Sequence, residues 1–136
     1  MALISELAAA GTARYSSTAV ENSHVVVGHQ AVLYAFDGRN TDASNAYWIM
    51  VFDATALPAN GTVPIICVGV PPKGTGANAE AGNFGYESGC TFGEQFKLGI
   101  VIAASTTDAD SGLTVATGRT TFFLVQWASV DGLSSY

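Results

Sequence analysis

Charge is what this chain has least of. Asp, Glu, Lys and Arg together make up 12% of its 136 residues, against about 25% in an average soluble protein. The five basic residues, Arg14, Arg39, Lys73, Lys97 and Arg119, are scattered, and the net charge is −6. Phosphate binding needs clustered Lys and Arg to displace counterions, so nucleic acid is excluded as an expected partner. Long apolar runs are also missing. None approaches the roughly 20 residues that span a bilayer, so no membrane helix is expected. The start, MALISELAAAG, lacks a basic n-region and carries Glu6 within its apolar stretch, so no secretory signal is expected either. Two histidines and two cysteines limit metal and nucleophile chemistry. Cys67 and Cys90 allow one bridge at most, and a chain of this size builds an adequate core without it. They read as reduced thiols.

What replaces charge is apolar residues, at 49%, with much Ser, Thr, Gly, Asn and Ala. A free cytosolic monomer uses surface charge to stay soluble. A surface with so little suits a subunit whose faces are buried in an assembly, or an extracellular β-protein.

The pattern is that of short strands. Residues 47–52 (YWIMVF) and 63–70 (VPIICVGV) are nearly continuous apolar runs, expected as strands buried on both faces. Between them Asp53, Pro58, Asn60, Gly61 and Pro64 form a structural turn, because Pro fixes φ and Asn-Gly accepts positive φ. Further strands are expected at 13–20, 24–28, 30–36, 84–92, 96–104 (Gly99 as a bulge), 113–117 and 120–128, with loops at 37–45 (DGRNTDASN), 71–83 (PPKGTGANAEAGN) and 105–112. About eight strands, with turns every 8–12 residues, predict an all-β antiparallel sandwich, jelly-roll-like. Residues 1–11 place Leu3, Ile4 and Leu7 on one helical face and read as an N-terminal arm or short helix. Residues 12–136 form a single β-sandwich domain.

Candidate chemistry is sparse. His24 and His29, five residues apart on extended chain, point to opposite faces and do not chelate a metal together. Asp108-Ala-Asp110-Ser-Gly112 opens like a calcium loop, but Gly112 stands where a third oxygen ligand belongs and Arg119 where a Glu belongs. Lys73-Gly-Thr-Gly lacks the G-K-[ST] of a phosphate loop and no helix follows it. Asp37, Asp53, Glu87 and Glu94 are the carboxylates that folding would have to pair for glycoside chemistry; for Asp53, at a strand end, capping backbone N–H groups is the simpler role. Tyr47, Trp48, Tyr86 and Trp127 are aromatics that would stack on sugars if exposed and coplanar, and core if not. No enzyme activity, metal or cofactor is expected.

Two blocks carry a resemblance. FDATALPANGTVPI (52–65) resembles a motif of small structural proteins of tailed bacteriophages: an apolar strand ending in Phe-Asp, then small residues, Pro, Asn-Gly and Val-Pro. FKLGIVIAASTT (96–107) is similar to that family's Phe-x-x-Gly-Ile-x-x-Ala-x-Ser-x-Thr block. A weaker third match is Leu113-Thr114 with the aromatic strand at 122–127. Together they cover roughly residues 30–128. The resemblance implies a virion component, foremost a capsid decoration (cement) protein on the outer capsid surface. It would contact the major capsid or other virion proteins as a homo-oligomer, by analogy a trimer. Leu3, Ile4 and Leu7 of the arm, and Lys73 in its loop, are the expected interaction residues. The alternative is a carbohydrate-binding, lectin-like module of a tail, baseplate or fibre.

Overall fold

A computed structural model describes residues 12–74, 82–89 and 92–130. Nine strands appear among them: β1 (Thr12–Ser16), β2 (Ser23–Val27), β3 (Ala31–Asn40), β4 (Tyr47–Asp53), β5 (Ile66–Val70), β6 (Asn83–Glu87), β7 (Glu94–Phe96), β8 (Ile100–Ser105) and β9 (Thr121–Ser129). They form two antiparallel sheets packed as a sandwich, one ordered β1-β9-β3-β6 and the other β2-β8-β4-β5. β7 continues the line of β6. It pairs with β3 at residues 31–33, where β6 pairs at 35–39, so the two make one interrupted strand. The two orders then set chain neighbours at corresponding positions of opposite sheets, which is the double Greek key of a jelly roll. The expected fold class is the one found.

The apolar runs explain the four-stranded sheet. All six residues of β8 are buried, and five of seven in β4. Ile49, Val51, Ile100, Ile102 and Ala104 face the main core between the sheets, with Leu33, Phe36, Phe96 and Phe123. Met50, Phe52, Val101 and Ala103 face outward into a second cluster, covered by Leu113 and flanked by Val115, Trp48 and Cys67. Leu113 belongs to the connection between β8 and β9, which folds back over the sheet. Burying a side chain of this size contributes roughly 1.5–3 kcal/mol.

The five-stranded sheet instead alternates. β9 buries Thr121, Phe123 and Val125 and turns Phe122, Leu124 and Gln126 outward. In β3 a register shift between Leu33 and Ala35 resets the alternation, so Leu33 and Phe36 both point inward.

Several element boundaries differ from expectation. The loop expected from residue 37 begins after Asn40, because residues 37–40 pair with β9 and residues 37–39 also with β6. Gly38 makes this possible: a Cβ there would overlap the Phe122 carbonyl. The single strand expected at 96–104 is two, divided by a turn at 97–99 that carries the chain from one sheet to the other. Residues 113–117 are not a strand; one bridge, Ser105 to Val115, and separate bonds to Gly61, Thr62, Ala104 and Thr106 hold them. The strand expected from residue 63 starts at Ile66. The N-terminal arm with Leu3, Ile4 and Leu7 lies outside the described residues, as do Cys90 and most of the loop after Lys73.

Candidate interaction surface

The connections gather at two ends of the sandwich, and the ends differ in chemistry. At the first end lie residues 28–30, 54–65 and 97–99. Asp53, closing β4, organises it. Its carboxylate accepts N–H bonds from Lys97 (3.1 Å), Leu98 (2.7 Å) and Gly99 (3.3 Å). Partial burial pushes the Asp53 carboxyl up, but the N–H groups of Leu98, Lys97 and Gly99, with the Lys97 charge, outweigh it and the net shift is downward. Gly99 is wedged between strands. A Cβ on it would stand 2.5 Å from the Val27 carbonyl oxygen and 2.6 Å from that of Ala54.

Residues 54–65 are laced to the β8–β9 connection. Gly61 N–H donates to the Leu113 carbonyl (2.7 Å), Leu113 N–H to the Thr62 carbonyl (2.9 Å), and Val115 N–H to Asn60 Oδ1 (3.2 Å). Gly61 adopts φ 94°, and Gly112 packs directly on it with φ 74°. Pro58 and Pro64 are half-buried in this connector. Asp53 stands at this end, and the connector after it carries Asn60 and Gly61 back over the outer sheet face to Val115 and Leu113; Lys73 stands at the other end, its N–H on the Asp42 carbonyl (2.8 Å).

So anchored, the first end turns apolar side chains to solvent. Val63 is 68% exposed, Ile65 57%, Leu98 56% and Leu57 39%. Ile65 N–H is bonded to the Val51 carbonyl (2.9 Å), so its exposure is enforced by backbone pairing. The apolar run from residue 63 suggested burial. The contrary signal was Pro64, since Pro within such a run argues against a central strand. Leu98 gave no signal of its own.

The second end is polar and closed on itself. Asn40, fully buried, donates through Nδ2 to the carbonyls of Asn45 (2.9 Å) and Pro71 (3.2 Å) and accepts from Asp42 N–H (2.9 Å). The Asp42 carboxylate accepts the Asn45 side-chain amide, the N–H groups of Ser44 and Asn45, and the Tyr47 hydroxyl. The Asn45 amide, then Ser44 N–H and the Tyr47 hydroxyl, hold the Asp42 carboxyl well below the usual carboxylate range. Burial and Asp42 push the Tyr47 hydroxyl up.

One further constellation joins Ser, Glu and His. Glu21 accepts hydrogen bonds from the Tyr15 and Ser17 hydroxyls and faces His24 Nδ1 at 3.1 Å, while the Tyr15 and His24 rings stack at 3.8 Å. This is not a catalytic triad. Ser17 Oγ donates to the Glu21 carboxylate and accepts the Phe123 N–H, while His24 faces Glu21 and not the hydroxyl, so the order of a triad is missing. The cluster closes the seam between edge strands β1 and β2. His29 lies in the exposed β2–β3 turn, its ring 6.2 Å from that of Trp127. Among the described residues no three His, Cys, Asp or Glu side chains gather as a metal site. Cys67 is a free thiol, pushed up by burial. Tyr47 is buried, Trp48 packs on the outer cluster, Tyr86 stacks on Phe36 at 5.1 Å, and Trp127 packs on the main core. They do not form a shared exposed platform for a sugar.

No family model, no curated protein and no solved structure matches this chain.

Proposed function

We propose that this chain is a structural subunit of a bacteriophage virion, a capsid decoration (cement) protein that works by mechanical contact. The observation that carries this reading is the apolar end: Leu57, Val63, Ile65 and Leu98 stand exposed on a backbone pinned by Asp53, Asn60 and Gly61. Exposed apolar side chains on a rigid frame are suited to association, because little order is lost when they bind. With only 12% charged residues, this end is a natural contact for shell subunits or for copies of the chain, which we place in a homo-oligomer, a trimer by analogy with decoration proteins. The acidic balance suits an outer surface away from packaged nucleic acid.

Electron microscopy of purified particles of the encoding virus tests the reading. Regular copies on the capsid lattice are expected. A few copies confined to a tail tip would replace cementing by host adhesion, and absence from every particle would overturn a virion role.

A further inference from the structure

A groove of about 380 Å³ opens on the outer face of the five-stranded sheet, away from the apolar end. Three strands line it: β3 with Ala35 and Asp37, β6 with Gly85 and Glu87, and β9 with Leu124 and Gln126. Register explains the grouping. Ala35 pairs with Glu87 on one side and Gln126 on the other, and Asp37 with Gly85 and Leu124. Two adjacent cross-strand rows therefore share one face. Gly85 and Ala35 keep the floor low between larger neighbours.

Asp37 and Glu87 are diagonal neighbours on this face, a relation that sets residues about 7–8 Å apart. Neither carboxylate has a hydrogen-bond or ion-pair partner among the described residues. Arg14, opposite Gln126 on β1, and Arg39, two residues along β3, flank the groove without lining it. Leu124 gives it an apolar shoulder that continues along β9 to Phe122, 38% exposed.

We propose that this groove is a second binding site, taking a short extended segment of a partner protein that presents a lysine or arginine to Asp37 and Glu87. A neighbouring apolar side chain of that segment rests on Leu124, and Gln126 hydrogen-bonds its backbone. Charge complementarity favours this occupant. Two carboxylates with no lining cation repel anionic ligands, whereas a guanidinium fork matches carboxylate oxygens. A neutral saccharide lacks an aromatic platform in the groove, because the Tyr86 ring is stacked on Phe36 and the exposed Phe122 does not line it. The site goes beyond the shell-contact reading: it occupies a different face, and holds wherever the chain resides.

The test titrates the isotope-labelled full-length chain with a capped pentapeptide of alternating arginine and leucine, read by amide chemical shifts. Saturable shifts are expected at Ala35, Asp37, Gly85, Glu87, Leu124 and Gln126, weakening with added salt. The double variant Asp37→Asn/Glu87→Gln is expected to bind about tenfold more weakly, the size expected for loss of two exposed ion pairs. Gln126→Glu, which adds a third carboxylate, tightens binding. Absence of saturation, shifts centred on other residues, or unchanged affinity in both variants would overturn the proposal. Saturation of the groove by maltopentaose with no response to the peptide would assign it to a sugar instead.

Discussion

The two ends of this sandwich solve the same problem, satisfying the chain where strands stop, in opposite ways. At one, Asn40 and Asp42 turn the polar groups of the β3–β4 connection onto one another, with Tyr47 sealing the network. At the other, Asp53, Asn60 and Gly61 bind backbone alone, and apolar side chains are left outside. The polar end spends its side chains on one another; the apolar end is held where Asp53 and Asn60 grip backbone, leaving its apolar side chains available for a partner. Substitutions at the polar end should therefore cost folding, and exposed substitutions at the apolar end should cost association.

The largest effect is expected where the apolar end is anchored. Leu113→Ala empties a fully buried position in the outer cluster and should destabilise by about 3 kcal/mol, measured by chemical denaturation, loosening residues 54–65 in hydrogen exchange. A loss below about 1 kcal/mol would mean that this connection is not what holds the end. Asn40→Ala removes a fully buried amide that donates to the carbonyls of Asn45 and Pro71 and accepts the Asp42 N–H; it should cost about 2 kcal/mol, confined in hydrogen exchange to the polar end. Gly99→Ala, which drives a Cβ against two backbone carbonyls, should cost about 2 kcal/mol in thermal unfolding.

Acid should weaken both ends. Asp42 and Asp53 each have a folded-state pKa below the ordinary value. Their contribution is complete above the unfolded carboxyl pKa of about 3.9, and is lost as pH falls from there through the folded values. Asp42→Asn and Asp53→Asn should each flatten the stability profile in that window. A profile as steep as the wild type's would show that the depressed carboxyl is not linked to folding. Asp42, which accepts bonds from two side chains and two backbone groups, should give the larger change.

Much of this architecture was legible in the residues. The unbroken apolar run at 47–52 announced a strand covered on both faces, which β4 is, whereas the run at 63–70 read the same way and is the half-open edge strand β5; Asp53 beside a turn announced a carboxylate that caps backbone. Legibility failed where distant segments decide. Residues 37–40 read as loop from Asp, Gly and Asn, yet they are strand because β9 and β6 supply partners far along the chain. Val63 and Ile65 read as core, yet the bond from Ile65 to Val51 and the turn at Gly61 leave them outside. Gly99 looked like a bulge, while its role is set by the carbonyls of Val27 and Ala54, neither adjacent in sequence. The groove was invisible for the same reason. Asp37, Glu87 and Gln126 meet only through the register of three strands.

The most direct test of the contrast between the ends is the double variant Ile65→Ser/Leu98→Ser, mixed with purified shells stripped of the chain. Both positions are exposed, so stability should change by no more than about 0.5 kcal/mol. Wild-type chain should saturate regular lattice positions, and the folded variant should bind at least about tenfold more weakly, a loss of roughly 1.4 kcal/mol. A variant that folds and occupies the lattice as fully as the wild type would contradict the assignment of the apolar end to shell contact.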